Sequence, residues 1–202
     1  GTTSAPYSSG QYNTAVGYQA LVAFTTGGQN VAIGRQAGIA ITSGDDNIVI
    51  GKSVATNLTT GTNNIAIGED ALDLENSGTY AIAIGYRAGY KNRISGVNYN
   101  TFMGYNAGRE VSTGNHNTFL GNHAGYGVDG SDADNNVAIG SYSLQQIVGN
   151  NNIAIGYESG RYASGSSNTF VGYGSGRGGT TSAPFSSGQY NTAVGYRALE
   201  EF

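Results

Sequence analysis

The sequence predicts an all-β protein that folds as a parallel β-solenoid of about eleven rungs, each of roughly 17 residues. The first observation is a recurring string, seen as Asn64-Ile65-Ala66-Ile67-Gly68, in which the glycine anchors each copy. The second is its spacing: the first four steps between anchors, from Gly17 to Gly85, are equal, and the later ones vary in length. A fixed period with length variation between anchors is typical of units that stack on their neighbours. The anchors are Gly17, Gly34, Gly51, Gly68, Gly85, Gly104, Gly121, Gly140, Gly156, Gly172 and Gly195.

The composition favours an ordered repeat. Glycine accounts for 34 of the 202 residues, and only 11% of residues are charged. Val, Ile, Leu or Met precedes every anchor glycine, a regularity that disordered Gly-rich chains lack. The net charge of -4 and the scattered Lys and Arg residues indicate no nucleic-acid partner. No apolar run is long enough for membrane insertion, and the lack of Cys rules out a disulfide scaffold.

We expect a single β-solenoid repeat domain over residues 1–202. Residues 1–24 return at residues 179–202 with four substitutions, so a second, much longer period lies above the short one. We interpret the chain as a fragment of a longer fibre in which whole blocks are duplicated.

Each unit is predicted to contain a glycine turn, a five-residue strand from Asn to Gly, and a short second segment. Glycine at the turn permits a positive φ or a close approach of stacked backbones. The long or divergent connectors, where we expect any binding to occur, are residues 90–98, 126–136 and 173–190; Pro6 and Pro184 occupy equivalent places in two connecting loops.

Each strand carries apolar residues on both faces. Side chains alternate along a strand, so the residue before the anchor glycine and the residue before that point in opposite directions. A strand that is apolar on both faces is covered on both, which predicts a lumen on one side and another chain, in a homotrimer, on the other. Small Ala residues suit a narrow lumen and Phe residues suit an interface, so the sequence leaves the direction of each column open. The core or interface candidates are Ile33, Ile50, Ile67, Ile84, Phe102, Phe119, Ile139, Ile155 and Phe170.

Asn begins the strand in ten of the eleven copies, and Ala81 is the exception. Stacked identical amides can hydrogen-bond along the solenoid and satisfy backbone groups of the turns. The alternative is a ligand-binding role. The predicted ladder comprises Asn13, Asn30, Asn47, Asn64, Asn100, Asn117, Asn136, Asn152, Asn168 and Asn191.

Tyr follows the anchor glycine in six copies. Such rings can stack on one another along a sheet, or they can stack on the sugar rings of a glycan. The possible glycan contacts are Tyr18, Tyr86, Tyr105, Tyr157, Tyr173 and Tyr196.

No residue pattern indicates catalysis or a cofactor. Asp129, Asp132 and Asp134 form an oxygen-rich loop of the kind that binds calcium, but the loop lacks EF-hand spacing and a solvated loop is the simpler interpretation. His116 and His123 are the two histidines, and neither lies in a recognisable nucleophile or metal motif. A polysaccharide-cleaving enzyme would need a pair of carboxylates held across a groove, which the sequence cannot place.

The strings NTAVGYQAL, NVAIGRQAG, NNIAIGEDAL and NNIAIGYESG resemble the YadA-like head repeats of trimeric autotransporter adhesins. They are even more similar to the GYQAL-rich repeats of phage tail-fibre and tailspike proteins. The resemblance covers essentially the whole chain and implies a left-handed parallel β-roll that assembles as a trimer and attaches to cells. The period here is longer than that of the adhesin repeat, and no chaperone or membrane-anchor segment is visible.

We therefore expect a shaft or head segment of a trimeric fibre, extracellular, on a virion tail or a bacterial surface. Its partners would be its own copies and a cell-surface glycan or receptor. The alternatives are a glycan-binding or ice-binding β-solenoid and, third, the polysaccharide-cleaving enzyme. Ice binding would want a regular outward Thr array, whereas Thr here alternates with Val and Ile at one strand position.

Overall fold

Eleven short strands stack in chain order to form one parallel sheet, as a computed structural model of the chain shows. The structure describes residues 9–179 and 187–201, so Pro6, Pro184 and parts of the two repeated ends lie outside the described residues. The strands are β1 (Thr14–Val16), β2 (Val31–Ile33), β3 (Ile48–Ile50), β4 (Ile65–Ile67), β5 (Ile82–Ile84), β6 (Thr101–Met103), β7 (Thr118–Leu120), β8 (Val137–Ile139), β9 (Ile153–Ile155), β10 (Thr169–Val171) and β11 (Thr192–Val194). The parallel β-solenoid predicted from the sequence is confirmed. Each strand has three residues, and not the predicted five, because the flanking Asn and Gly lie outside it.

The strands are in register from one end of the sheet to the other. Each middle residue pairs with the middle residue of the next strand, as Ala66 does with Ala83, and the anchor glycines that follow lie in a column. A Cβ added to Gly68 would lie 2.5 Å from the carbonyl oxygen of Gly85, and φ at Gly68 is +130°. Only glycine therefore allows neighbouring backbones to approach this closely. Within the described residues no helix is long and apolar enough to cross a membrane.

The middle residue of each strand points into the coil and forms the lumen. From β2 to β11 these residues are buried, and they include Phe102, Phe119 and Phe170. The phenylalanines are therefore lumen residues, which decides the question that the sequence left open. Across the lumen they meet residues three, four and seven positions after an anchor glycine, among them Ala71, Leu72 and Leu58.

Several rungs of the lumen pair a large residue with a small one. In the rungs of β6, β7 and β10 the middle residue is Phe and the residue four positions after the anchor is Gly, as in Phe119 and Gly125. A Cβ at Gly125 would lie 2.3 Å from Cδ2 of Phe119. The rung of β8 has the inverse pair, Ala138 and Leu144, both fully buried. Close packing explains the exchange, since the interior tolerates neither a void nor an overlap.

This pairing predicts a rescue. Phe119→Ala should lower the free energy of unfolding by about 3–5 kcal/mol, because it opens a cavity in the lumen. Adding Gly125→Leu should restore much of that loss by recreating the pair of the β8 rung, in which Leu144 already adopts a positive φ of 46°. Chemical denaturation of the three variants measures this.

Gly125→Leu alone is the control, and it should destabilise the protein by overpacking. A double variant no more stable than Phe119→Ala would contradict the pairing.

Candidate functional site

The outward face of the sheet is a continuous, mainly apolar surface, which we call the apolar face, and Thr occupies the first position in five of its strands. It consists of the first and third residues of every strand, which are exposed or half-buried in all eleven rungs. Leu120 is 43% exposed and Ile155 is 39% exposed. The third-residue column contains six of the predicted candidates, which all point outward: Ile33, Ile50, Ile67, Ile84, Ile139 and Ile155. A strand with apolar residues on both faces is expected to be covered on both faces. The described part of the chain does not cover this outward face, because its side chains remain accessible to solvent.

The ladder asparagines lie at one edge of the lumen and hydrogen-bond from rung to rung. Asn47 donates from its backbone N–H and from Nδ2 to Oδ1 of Asn30, at 3.0 Å in both cases. Nδ2 of Asn47 also donates to the carbonyl oxygen of Gly61 at 2.9 Å. The same bonds repeat along most of the solenoid, so the amides satisfy turn groups that the strands leave unpaired. Their side-chain atoms are thereby occupied by the fold.

Replacing a ladder asparagine should lower the free energy of unfolding in proportion to the number of hydrogen-bond donors that it leaves unpaired. Asn117→Ala removes the acceptor for the backbone N–H of Asn136 (2.9 Å) and for its Nδ2 (3.1 Å). Each buried donor left unpaired should cost about 1–3 kcal/mol in urea or guanidinium unfolding. Thr60→Ala, at an exposed turn position, is the control and should cost little. Equal losses at the two positions would show that the ladder bonds contribute little.

Aromatic rings form a second column beside the apolar face, which we call the aromatic ladder. Adjacent ring centroids lie 5.2 Å apart for Tyr157 and Tyr173 and 5.3 Å apart for Tyr173 and Tyr196. These two pairs and the Tyr86–Tyr105 pair are stacked, whereas the Tyr105–His123 step is tilted and the Tyr142–Tyr157 step is edge-on. Where the rings stack on one another, their inner faces are occupied, which disfavours stacking on a sugar. The ladder runs through Tyr86, Tyr105, His123, Tyr142, Tyr157, Tyr173 and Tyr196. The other predicted member, Tyr18, has Arg35 at the equivalent place in the next rung.

Arginines and carboxylates flank the aromatic ladder and pair with one another. The guanidinium of Arg109 lies 5.8 Å and 5.6 Å from the ring centroids of Tyr90 and Tyr126, within the range of cation–π attraction. Oε1 of Glu110 lies 3.0 Å from Nη1 of Arg109, and its Oε2 lies 2.7 Å from Nζ of Lys91. The charges on this flank are therefore largely balanced.

Both histidines belong to the rung of β7. His116 packs against Tyr99 with ring centroids 5.2 Å apart, and His123 lies within the aromatic ladder. Burial lowers the pKa of His123 below its ordinary value, and the positive charges of Arg109 and Arg161 lower it further. The ring of His123 therefore favours the neutral form, which suits a stacking role.

The three aspartates of the predicted loop point to separate partners. Asp129 pairs with Lys91 (2.8 Å), Asp132 accepts from Oγ1 of Thr113 (2.5 Å), and Asp134 accepts from the backbone N–H of Asn115 (2.7 Å). Lys91 lowers the pKa of Asp129 below its ordinary value. Over residues 9–179 and 187–201, no group of three or more His, Asp or Glu side chains is placed to hold a metal ion.

A buried polar cluster around Glu75 is a feature that the repeat pattern does not predict. Its carboxylate is fully buried and accepts from the backbone N–H of Gly78 (2.8 Å) and from Nδ2 of Asn98 (3.1 Å). Asn98 also bonds Asn92 and supplies the acceptor for the backbone N–H of Asn100 (3.1 Å), where Ala81 interrupts the asparagine ladder. The sequence does contain a signal for this cluster. The position seven residues after the anchor glycine is apolar in the first three rungs (Phe24, Ile41 and Leu58) and polar in the next two (Glu75 and Asn92).

The cluster gives stability a predictable pH dependence. Burial raises the pKa of Glu75 above its ordinary value, although hydrogen bonds from the backbone of Gly78 and Asn76 oppose this. A carboxyl group with a higher pKa in the folded state binds its proton more tightly when folded, so stability falls as pH rises through that range. Glu75→Gln should therefore gain stability relative to the parent as pH rises from 4.5 towards neutrality.

Urea unfolding across this pH range measures the difference. Asp129→Asn is the control, because the pKa of Asp129 is lowered below 3.8 in the folded state; its effect on stability should therefore stay constant across this range and change only at more acidic pH. Parallel pH profiles for Glu75→Gln and the parent would contradict the prediction.

Comparison with protein-family models, with curated proteins and with solved structures finds no match to this chain.

Proposed function

We propose that this chain is a shaft or head segment of a homotrimeric fibre that serves attachment to cells, on a virion tail or a bacterial surface. One observation carries the proposal: the apolar face continues through all eleven strands without a polar interruption other than Thr. A face of this kind favours association with a partner of the same length and the same period. A further copy of the chain meets both conditions.

The size of the apolar face fits a specific interface. Ten steps of about 4.8 Å give a length of about 48 Å. Two columns of side chains make the face about 14 Å wide, so it covers roughly 700 Å². Soluble monomers rarely expose a patch beyond a few hundred Å², whereas a stable complex buries about 800 Å² per partner.

Three copies around an axis would suit the shape of the face. A parallel arrangement places each rung level with the same rung of its partners, so that Ile67 of each copy lies at one height. Closed cyclic symmetry then covers all three faces and leaves no apolar stripe for further growth. The aromatic ladder and its paired charges would flank the interface, where polar residues are usual.

Ile67→Asp tests the trimer. Because Ile67 is half-buried and points outward, the substitution should leave the β-sheet circular dichroism unchanged. It should raise the dissociation constant by about two orders of magnitude or more, since three unpaired carboxylates would meet near the axis. Sedimentation velocity at micromolar concentration should give a trimer for the parent and a monomer for the variant.

Thr60→Asp, at an exposed turn position, is the matched control and should remain trimeric. A parent chain that sediments as a monomer or a dimer would overturn the trimer. A monomer that also produced thermal hysteresis would instead favour ice binding by the same flat face.

Attachment needs its own test, because a trimer alone could be a passive spacer. The parent trimer should retain cells of a susceptible bacterium or host on a coated surface, and the Ile67→Asp monomer should retain fewer because it lacks avidity. Equal retention by trimer, monomer and an uncoated surface would leave a structural shaft without an attachment role and would contradict that part of the proposal.

A further inference from the structure

We propose that the aromatic ladder is an oxidative cross-linking site, at which a one-electron oxidant joins tyrosines of adjacent rungs as dityrosine. The partner is an oxidant of the peroxidase and hydrogen peroxide class. The inference concerns contacts within one chain, so it does not depend on the trimer.

The geometry holds the reacting rings against one another before any oxidation occurs. The rings of Tyr157 and Tyr173 are stacked with planes 22° apart, and those of Tyr173 and Tyr196 with planes 20° apart. Tyr86 and Tyr105 form a further pair at 5.2 Å and 15°. Coupling forms a bond between ring carbons ortho to the hydroxyl, and rings held in contact convert that step into an intramolecular one.

The rings are also open to a dissolved oxidant. Tyr157 is 42% exposed, Tyr173 is 48% exposed and Tyr196 is 73% exposed. With this exposure, an oxidant can reach the rings without opening the fold. Stacking and access therefore coincide in the same three residues.

The reaction balances with two hydrogen atoms removed. Each tyrosine loses one electron and one proton to give a phenoxyl radical, and the spin is shared with the ortho carbons. Two such carbons join, and the two hydrogens on them move to the oxygens and restore both phenols. One hydrogen peroxide molecule accepts the two electrons and two protons and becomes two water molecules.

A carboxylate beside Tyr157 assists the loss of the proton. The negative charge of Glu158 raises the pKa of the Tyr157 hydroxyl, which also hydrogen-bonds to that carboxylate. The phenol therefore stays protonated at neutral pH and has an acceptor ready when the ring is oxidised. Arg161 and Arg177 hold Glu158 in place, the latter at 3.0 Å.

Tyr18 and Tyr162 have no stacked tyrosine beside them within the described residues and supply controls, whereas Tyr80 and Tyr99 form one more stacked pair at 5.5 Å. Tyr18 is 66% exposed, but the equivalent residue of the next rung is Arg35. Tyr162 lies between the guanidinium groups of Arg161 (5.0 Å) and Arg177 (5.7 Å), which occupy its ring faces. Exposure alone would favour Tyr18, whereas stacking favours Tyr173.

The dityrosine links would join successive rungs of the solenoid covalently. A bond from Tyr173 to Tyr196 closes the longest step between anchors, which runs from Gly172 to Gly195. A covalent loop restricts the unfolded chain, so the oxidised protein should unfold at a higher denaturant concentration than the untreated protein. Each link would join neighbouring rungs without altering the apolar face.

The test treats dilute parent protein with horseradish peroxidase and limiting hydrogen peroxide. Dityrosine fluorescence should appear while a denaturing gel still shows the mass of a single chain. Trypsin should then release the peptide 162–177 joined to 110–161 or to 178–197, with two hydrogen atoms lost per link.

Variants assign the links to residues. Tyr173→Phe should reduce both linked peptides about tenfold or more, because phenylalanine keeps the ring but has no phenol to oxidise, and the remaining tyrosines lack its proximity. Tyr162→Phe and Tyr18→Phe are the matched controls and should leave both peptides unchanged. Circular dichroism checks that all three variants fold.

Three outcomes would overturn the proposal. The first is a yield of linked peptides that rises with protein concentration, which indicates collision between molecules. The second is loss of the links in Tyr162→Phe or Tyr18→Phe, and the third is a parent protein without linked peptides. If the parent protein is monomeric and still forms the expected links, the trimer proposal is contradicted and the cross-linking proposal is supported.

Discussion

The close approach of neighbouring backbones at the anchor glycines is the constraint on which the rest of the structure depends. A Cβ at Gly34 would lie 2.2 Å from the carbonyl oxygen of Gly51, and comparable distances recur along the column. Because no side chain fits between these backbones, a rung cannot slip by one residue against the next without a clash. Exact register then places chemically similar side chains of successive rungs above one another, so that amides stack on amides, aromatic rings on aromatic rings and aliphatic side chains on aliphatic side chains. The apolar face and the aromatic ladder are consequences of this one contact repeated.

The rung of β5 shows how the repeat tolerates a local exception. Ala81 supplies no amide, yet its backbone N–H still donates to Oδ1 of Asn64 at 2.9 Å. The acceptor missing on the other side comes from Asn98, which lies in the longer connector that follows. Glu75 holds Asn98 in position from inside the lumen. The substitution, the insertion and the buried carboxylate therefore form one arrangement, in which three departures from the pattern compensate one another.

The period and the alternation of the anchor string were enough to predict a parallel solenoid and its strand positions, because both are local patterns. They could not decide which way Ile67 and Ala66 point, since both are apolar. That choice depends on lumen volume, which is set by residues such as Leu72 in the same rung and its neighbours. Nor did the pattern indicate that Asn63, Asp70 and Leu72 have φ values of 58°, 57° and 47°. Leu and other side chains rarely adopt that region, and it is the in-register stacking that holds them there.

Each strand contacts only the strands before and after it in the sheet, and this has a consequence for how such a chain can change over evolutionary time. Insertion or deletion of a whole rung disturbs two junctions and leaves every other contact as it was. The length of the molecule can therefore vary in increments of about 4.8 Å while its surface chemistry is preserved. Insertion or deletion is most restricted at junctions where a lumen phenylalanine packs against a glycine of the neighbouring rung, as Phe102 packs against Gly89. Recombination should be tolerated best between rungs with alanine in the lumen, and the duplicated segment that spans Ala15 and Ala193 has that character.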